Sequence, residues 1–378
     1  MLAVTDEDYM RMALDIAKYG VGQTSPNPMV GAVVVKNGHI VGTGWHRAAG
    51  TPHAEIHALN MAGDAARGAT IYVNLEPCAH YGRTGPCVEA IKQAGIARVV
   101  AALSDPNPKV KGKGGKFLRE AGIIYEVGCL ATEAANLNEV FLTWMQYNRP
   151  FVVMKTAMTL DGKIAAVGKK SGQITGNDAK RQVHVWRAMY DGIMVGLNTV
   201  KQDNPLLTVR LPGEHGGKNP QRIILDSTAQ IPLTANVLTD GAAKTLVAVT
   251  TRAPSERVER IIAAGGEVIA AGDGERVDLP ELMKILAARN ICSVLAEGGG
   301  TVNFSLLKAG LVDKVHSFIA PKILGGATAP TPVDGAGIDS VNGAVKLHDV
   351  TVKQLGEDIL VSGYVRPREE RIFVYGDN

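Results

Sequence analysis

The sequence has little of what marks a secreted or membrane-spanning protein. Its N-terminal stretch MLAVTDEDYM is acidic and lacks the basic start and apolar core of a secretory signal, and no uncharged apolar run approaches 18 residues. We therefore expect a cytoplasmic protein with no membrane partner. The four cysteines, at 78, 87, 129 and 292, are then free thiols or metal ligands, because the reducing cytoplasm disfavours structural disulfides.

A strong charge of one sign is also missing. Forty basic and 37 acidic residues leave a formal net charge of +3, and aromatic residues make up only 5% of the chain. Both features argue against nucleic acid as a partner, because its backbone attracts a basic surface and its bases stack on aromatic side chains. A small anionic substrate fits this composition better.

The length of 378 residues exceeds what one hydrophobic core usually supports, so it predicts two domains. Residues 6–19 have apolar side chains at helical spacing, and the stretch 29–45 predicts a hairpin because Asn37-Gly38 suits a two-residue type I′ turn. Helices and strands then alternate, with a break near Pro150. We place the domains at 1–147 and 148–372 and, finding no internal repeat, expect two different functions.

The clearest chemical signal is the pair of stretches TPHAEIHALN, residues 51–60, and NLEPCAHYGRTGPC, residues 74–87. Zinc in a catalytic site takes three protein ligands and keeps a fourth position for water, and Cys2His is one of the known ligand sets. His53, Cys78 and Cys87 supply that set. The sequence therefore predicts a catalytic zinc site.

A carboxylate must move protons at such a site, and Glu55 is the candidate. It lies two residues from His53, and no basic residue within several positions can pair with it. We expect His53 at the N-terminal cap of a helix with Glu55 in its first turn. We also expect Pro77 to begin a second helix at Cys78, where the backbone dipole would favour the thiolate.

Two other interpretations of these residues deserve weight. A structural zinc site would need a fourth ligand, from His57 or His80. A zinc protease motif through His53 and His57 has its Glu in the wrong position, third instead of second. Cys129 and Cys292 lie in apolar segments that predict core positions. The other histidines have no partner spacing and are expected to be structural or at the surface: His39, His184, His215, His316 and His348.

The order His-x-Glu, Pro-Cys and a later Cys resembles the zinc-dependent nucleobase deaminases. The usual Cys-x-x-Cys is replaced here by nine-residue spacing, and PCAHYGRTGPC with SPNPMVGAVVV and HAEIHAL resembles the deaminase half of the bacterial bifunctional riboflavin-biosynthesis enzymes. This resemblance implies a cytidine deaminase-like three-layer α/β/α domain. It also implies that the pyrimidine substrate contacts Asn27, His46, His80 and Arg83.

A second signal is ICSVLAEGGGTVNFSLLKAG, residues 291–310, which predicts a buried strand whose glycines open onto a helix. Such a joint suits an anion, because glycines let the ligand approach the backbone and the first helical turn offers N–H groups. A tight turn with no ligand would have the same pattern. A Rossmann site fits poorly, since its glycines follow the first strand and an acidic residue comes about 20 positions later.

The second half resembles the reductase domain of the same riboflavin enzymes through KTAMTLDGKIA, GLNTVKQDNPLLTVR, ILDS and AEGGGTVNFSLL. The resemblance implies a C-terminal dihydrofolate reductase-like α/β domain that uses NADPH. Family roles place the cofactor at Ala157, Gln173, Thr199, Asp203, Ser227, Gly299, Gly300, Thr301, Val302, Asn303, Phe304 and Ser305. They place the substrate at Ser171, Arg187, Leu207, Arg210 and Glu297. Gln173 departs from the family, in which Trp can occupy this position.

Together the resemblances imply two consecutive steps of riboflavin synthesis on a pyrimidine ribose phosphate, with zinc and NADPH as cofactors, in a homo-oligomer. Arginines suit such a substrate, because the guanidinium group matches phosphate oxygens in pairs. Two alternatives remain open. The first domain could edit a base in RNA with the second as a nucleic-acid binding module, or one of the two domains could have lost its activity.

Overall fold

A computed structural model describes residues 4–80, 85–107, 111–168, 172–211 and 218–371. The chain divides into two compact units, of which the first ends at Asn148 and the second covers Arg149–Arg371. Within the described ranges no helix combines the length and the apolar composition that crossing a membrane requires. Both units are mixed α/β structures, as the sequence predicted, and each is described separately.

The first unit contains one sheet and helices on both of its faces. Its strands are β1 Gly31–Lys36, β2 His39–Trp45, β3 Thr70–Val73, β4 Arg98–Ala101 and β5 Ile124–Val127. Its helices are α1 Asp6–Ala17, α2 Ala54–Ala62, α3 Cys87–Gln93, α4 Lys113–Glu120, α5 Ala131–Leu137 and α6 Glu139–Tyr147. The predicted first helix, hairpin and helix near residue 54 are therefore confirmed.

The strand order in this sheet is β2-β1-β3-β4-β5, with β1 antiparallel to β2 and β3 and the other pairs parallel. Alternate side chains of β1 point to opposite faces. Val34 packs in the core formed with α2, α3 and α4, whereas Val33 and Val35 pack in the core formed with α1, α5 and α6. The domain therefore has the expected three α/β/α layers.

Two local features determine how the hairpin β1–β2 forms and how helix α2 packs on it. Asn37 and Gly38 both have positive φ, 49° and 77°, as a type I′ turn between β1 and β2 requires. Helix α2 then lies directly on β2, because a Cβ at Gly42 or Gly44 would overlap the backbone of that helix. The glycines of β2 therefore let the helix that carries the predicted zinc ligand approach the sheet.

The second unit also contains one sheet flanked by helices. Its strands are β6 Phe151–Thr159, β7 Gly192–Gly196, β8 Gln221–Leu225, β9 Thr245–Val249, β10 Glu267–Ala270, β11 Ser293–Ala296, β12 Lys314–Ala320, β13 His348–Leu355 and β14 Asp358–Tyr364. Its helices are α7 Asn177–Met189, α8 Leu197–Asp203, α9 Asn236–Thr239, α10 Ser255–Ala263, α11 Leu279–Ala288, α12 Gly300–Lys308 and α13 Arg368–Arg371.

Within the described residues of this unit, nine strands have the order β10-β9-β8-β7-β11-β6-β12-β14-β13. The pairs from β10 to β12 are parallel, and the last three strands form an antiparallel edge. Strand β11 lies between β7 and β6, near the centre of the sheet. Ligands of parallel sheets bind outside the carboxyl ends of the strands, so the glycine turn after β11 lies where a ligand is expected.

Candidate active sites

Three potential metal ligands of the first unit converge at one point. Nδ1 of His53 lies 3.2 Å from the Cys87 sulfur and 3.5 Å from the Cys78 sulfur. All three atoms lie within 4.8 Å of one another. Tetrahedral zinc with bonds of about 2.0–2.3 Å holds neighbouring ligands roughly 3.6 Å apart, so this donor set and its spacing fit zinc.

The local structure places each ligand differently. His53 is the N-terminal cap of α2 and Glu55 lies in its first turn, as predicted. Cys87 begins α3 directly after Pro86. The predicted helix start at Cys78 is wrong, because Pro77 and Cys78 lie in an irregular loop. That loop packs on α3 instead, with the Cys87 amide donating to the Cys78 sulfur at 3.4 Å and the Val88 amide donating to the Cys78 carbonyl at 3.3 Å.

The two sulfurs have different proton affinities. A hydrogen bond from Cys87, with a further contribution from His53, lowers the pKa of Cys78 to about 4 although burial opposes the shift. The same hydrogen bond and burial raise the pKa of Cys87. Cys78 is therefore the sulfur that loses its proton more readily, and a divalent cation between the sulfurs would favour loss of the proton from Cys87 as well.

The carboxyl of Glu55 lies in the cavity beside these ligands and is 3% exposed. Burial raises the pKa of this carboxyl, which suits a group that must both accept and release a proton near neutral pH. Among the residues that the structure describes, the cluster contains only His53, Cys78 and Cys87. Neither His57 nor His80 joins it as a fourth ligand, so the geometry favours a catalytic site over a structural one.

A cavity of about 190 Å³ opens beside the cluster, and Asn27, His46 and His80 line it. His46 is 2% exposed, and its Nδ1 donates to the Pro52 carbonyl at 3.2 Å. Its Nε2 therefore accepts from the Asn27 amide at 3.1 Å, and burial lowers the pKa of His46 so that the ring stays neutral. The predicted substrate residue Arg83 lies outside the described residues.

Sequence reasoning missed the acidic residues on the other wall of this cavity. Asp105 is 8% exposed and lines the cavity, and burial raises its pKa to about 7. The Glu76 carboxylate accepts hydrogen bonds from the amides of Asp105, Gly112, Gly114 and Gly115, at 2.9 to 3.1 Å. Glu76 thus holds the segment after β4 against the loop that carries Cys78.

In the second unit the glycine turn has the predicted form. Strand β11 ends at Ala296, and Gly299 caps α12, whose first turn lines a cavity of about 420 Å³. The Gly196 amide donates to the Gly298 carbonyl at 3.1 Å and ties the turn to the end of β7. Residues from α8, from the end of β8 and from α12 line this cavity, which suits an extended anionic ligand.

Beside this turn lies a cluster of buried charges. Arg187 donates to both oxygens of Glu297, at 2.6 and 2.9 Å, and the Lys155 ammonium lies 3.3 Å from the same carboxylate. The side chains of these three residues are between 8% and 13% exposed. Lys155 was not predicted, because a lysine in a strand gives no signal of its own. The backbone of Arg210 donates to Nδ1 of the buried His184 at 3.2 Å.

The other predicted residues of this unit are distributed around the cluster and the cavity. Thr199, Ser227, Gly299, Thr301, Val302 and Ser305 line the cavity. Leu207 is buried with φ +52°, and Arg210 is exposed with Nη1 donating to the Thr208 hydroxyl at 3.2 Å.

Six more of the predicted residues of this unit do not line the cavity. The side chains of Asn303 and Gln173 donate to the carbonyls of Pro332 and Thr175. Asp203 ends α8, Ala157 lies in β6, Gly300 is approached closely by Asp334, and Phe304 packs at Gly335. Ser171 lies outside the described residues.

Each of the two units matches a known protein family. Residues 3–103 match the cytidine and deoxycytidylate deaminase zinc-binding region, and residues 150–361 match the RibD C-terminal domain. The chain is 44% identical to the riboflavin biosynthesis protein RibD of Bacillus amyloliquefaciens, over 98% of this chain and 99% of that protein. It is 39% identical to RibD of Escherichia coli (strain K12), over 94% of this chain and 98% of that protein.

Two solved structures resemble the whole chain. RibD of Acinetobacter baumannii in its form 1 has a TM-score of 0.86 at 37% identity, covering 95% of this chain and 98% of that one. The diaminohydroxyphosphoribosylaminopyrimidine deaminase/5-amino-6-(5-phosphoribosylamino)uracil reductase of Thermotoga maritima has a TM-score of 0.83 at 36% identity, with the same coverage.

The fold and the site define a bifunctional enzyme in which a zinc-binding deaminase domain precedes a reductase domain. Zinc and NADPH are the cofactors of these domains. The chain belongs to the RibD family of riboflavin biosynthesis proteins.

Proposed function

We propose that this chain catalyses two consecutive steps of riboflavin synthesis. The first is zinc-dependent hydrolytic deamination of 2,5-diamino-6-(5-phosphoribosylamino)pyrimidin-4(3H)-one. The second is NADPH-dependent reduction of the ribosyl group to ribityl, giving 5-amino-6-(5-phosphoribitylamino)uracil. The observation that carries the proposal is the convergence of His53, Cys78 and Cys87 beside the buried Glu55 carboxyl. The Thermotoga relative is named for the same two reactions.

When bound, zinc would lower the pKa of a water molecule so that hydroxide is available as the nucleophile at neutral pH, and NADPH would supply hydride. Glu55 takes the proton from the attacking water and passes it to the ring nitrogen beside the amino-bearing carbon. It then carries the proton of the newly attached hydroxyl to the departing amino group, so that the C–N bond breaks, a carbonyl forms and ammonia leaves. Its buried position and raised pKa suit this exchange.

Other residues of the first cavity orient the pyrimidine. The neutral His46 ring holds the Asn27 amide in place, which leaves the Asn27 carbonyl oxygen to accept an N–H of the ring. His80 lies at the exposed side of the cavity. We assign His80 and Arg83 to the substrate on the strength of the family resemblance.

In the reductase domain the exposed Arg210 guanidinium has its Nη1 bound to Thr208, and its remaining N–H groups suit a phosphate. We assign the substrate to Ser171, Arg187, Leu207, Arg210 and Glu297. We assign the cofactor to Ala157, Gln173, Thr199, Asp203, Ser227 and the residues from Gly299 to Ser305. In the same proposal the domains cover 1–147 and 148–372, and the enzyme is a cytoplasmic homo-oligomer.

The test uses the full-length, zinc-loaded protein and measures ammonia release and NADPH oxidation separately. Glu55→Gln should lose ammonia release by about 10²- to 10⁴-fold and still oxidise NADPH with the deaminated substrate. Glu120→Gln, an exposed control in the same domain, should retain both activities. Ammonia release from Glu55→Gln at the wild-type rate, or faster release from tRNA than from the pyrimidine phosphate, would contradict the proposal.

A further inference from the structure

The 420 Å³ cavity of the second unit has two chemically different ends. At one end, Gly299 and Thr301 present the first turn of α12, where backbone N–H groups suit the pyrophosphate of a dinucleotide. The other end lies beyond the carboxyl end of β8 and is lined by Ser227, Thr228 and Arg276. The second end offers side-chain donors and one cation, the guanidinium of Arg276.

The order of the strands determines which half of a dinucleotide each end would hold. Glu297 follows β11, and its carboxylate binds Lys155 of the adjacent strand β6, so the reacting end of the cofactor belongs on that side. Strand β8 lies two strands from β11 in the opposite direction, about 10 Å away. The adenosine half of the cofactor therefore extends toward the end of β8.

The acid that directly follows β8, Asp226, is one of the residues that line the cavity, but it is almost fully buried. Dinucleotide sites that prefer NADH use a carboxylate to bind the ribose hydroxyls. Asp226 is 1% exposed, and its Oδ2 accepts the Ile231 amide at 2.7 Å. Burial also raises the pKa of this carboxyl, so its negative charge is disfavoured. The other oxygen, Oδ1, is also buried and has no hydrogen-bond partner within the described residues, so Asp226 presents no exposed acceptor to a ribose hydroxyl.

The donors at this end are held in place by the segment before α11. The Val277 amide donates to the Ser227 hydroxyl oxygen at 3.1 Å, which brings the neighbouring Arg276 to the cavity wall. Within the described part of the chain, the Ser227 hydroxyl proton and the Arg276 guanidinium have no hydrogen-bond or ionic partner. Glu275 also lines the cavity and is the one group on this segment that would favour ribose hydroxyls instead.

We propose that Arg276, with the hydroxyls of Ser227 and Thr228, binds the 2′-phosphate of the dinucleotide and sets the preference for NADPH over NADH. A guanidinium group donates two hydrogen bonds to a pair of phosphate oxygens. The hydroxyls of Ser227 and Thr228 add two more donors. A phosphate has enough acceptor oxygens for all of these donors, whereas the single oxygen of a ribose 2′-hydroxyl does not. This proposal rests on the reductase activity proposed above. It adds the residues that distinguish the two cofactors.

The test compares Arg276→Ala with wild type in the full-length, zinc-loaded enzyme, using the deaminated pyrimidine phosphate. The KM for NADPH should rise about 10- to 100-fold with little change in kcat, and the KM for NADH should stay within about twofold. The control is Arg252→Ala, an exposed arginine that does not line the cavity, and it should leave both values unchanged. Glu275→Gln should not raise the KM for NADPH.

A binding measurement separates this proposal from the reductase activity itself. Adenosine 2′,5′-bisphosphate should bind wild type more tightly than adenosine 5′-phosphate, and Arg276→Ala should remove most of that difference. This binding result does not depend on reduction of the substrate. If the binding result is obtained but no substrate is reduced, the proposed reductase activity is wrong and the assignment of Arg276 still stands. Equal losses for NADPH and NADH in Arg276→Ala, or an NADH defect in Glu275→Gln with no effect of Arg276→Ala, would overturn the assignment to Arg276.

Discussion

Arg187 and Glu297 form an ion pair with two hydrogen bonds, from Nε to Oε1 at 2.6 Å and from Nη2 to Oε2 at 2.9 Å. Arg187 lies on α7, and Glu297 directly follows β11. Lys155 of β6 contacts the same carboxylate at 3.3 Å, so one acid balances two buried cations. These contacts join three elements that are distant in sequence. They lie beyond the carboxyl end of β11, where we place the reductase substrate.

Replacing Glu297 with Gln should therefore destabilise the second domain strongly. The substitution leaves Lys155 and Arg187 without an anion in a buried site, and breaking a buried ion pair in this way costs about 3–5 kcal/mol. Urea unfolding would measure the loss in a background in which Trp45 and Trp144 are replaced by Phe, so that the fluorescence reports Trp186 of α7 alone. The control is Glu267→Gln, which removes an exposed pair with Arg289 and should cost at most about 1 kcal/mol. Equal effects of the two substitutions would contradict this account.

The same carboxylate predicts a dependence of stability on pH. Burial alone would raise the pKa of Glu297, but the charges of Lys155 and Arg187 outweigh it and lower the pKa to about 2. The unfolded value is about 4.3, so the stabilisation is complete above that pH and is lost as the pH falls toward 2. The difference in unfolding free energy between wild type and Glu297→Gln should shrink between about pH 5 and pH 3. A constant difference over this interval would show that Glu297 is not the titrating group.

Glu76 should be as important to the deaminase site as the residues that contact substrate. Its carboxylate accepts four backbone amides, and Glu76→Gln would replace one acceptor oxygen with an amide group that faces donors. We expect a loss of about 2–4 kcal/mol in unfolding free energy and faster hydrogen exchange at Gly114 and Gly115. Glu120→Gln should change neither quantity. Unchanged exchange in Glu76→Gln would mean that these hydrogen bonds do not hold the segment.

Several parts of the fold and the site were predictable because local chemistry determines them. Asn37 and Gly38 adopt the positive φ values that only a few residue types tolerate, and so they fix the first hairpin. His53 caps α2 because a helix that begins at Ala54 leaves the preceding residue extended. The glycines after β11 likewise predicted the turn onto α12.

The features that the sequence did not reveal depend on distant contacts. Cys78 lies in a loop rather than a helix because the loop packs on α3 and because neighbouring Glu76 binds amides up to 39 residues further along the chain. No local propensity contains that information. Lys155 and Arg276 gave no signal for the same reason, since only the order of the strands brings Lys155 to Glu297 and Arg276 to the reductase cavity.

The most direct test of the central claim is the zinc content of the purified protein together with the ligands seen by X-ray absorption spectroscopy. The account predicts about one zinc per chain, bound by one imidazole nitrogen and two sulfurs with one lighter atom in the fourth position. Cys78→Ser and Cys87→Ser should each lose most of the metal, and Glu55→Gln should keep it. Full zinc occupancy in both cysteine variants, or a spectrum with four protein ligands, would contradict the claim.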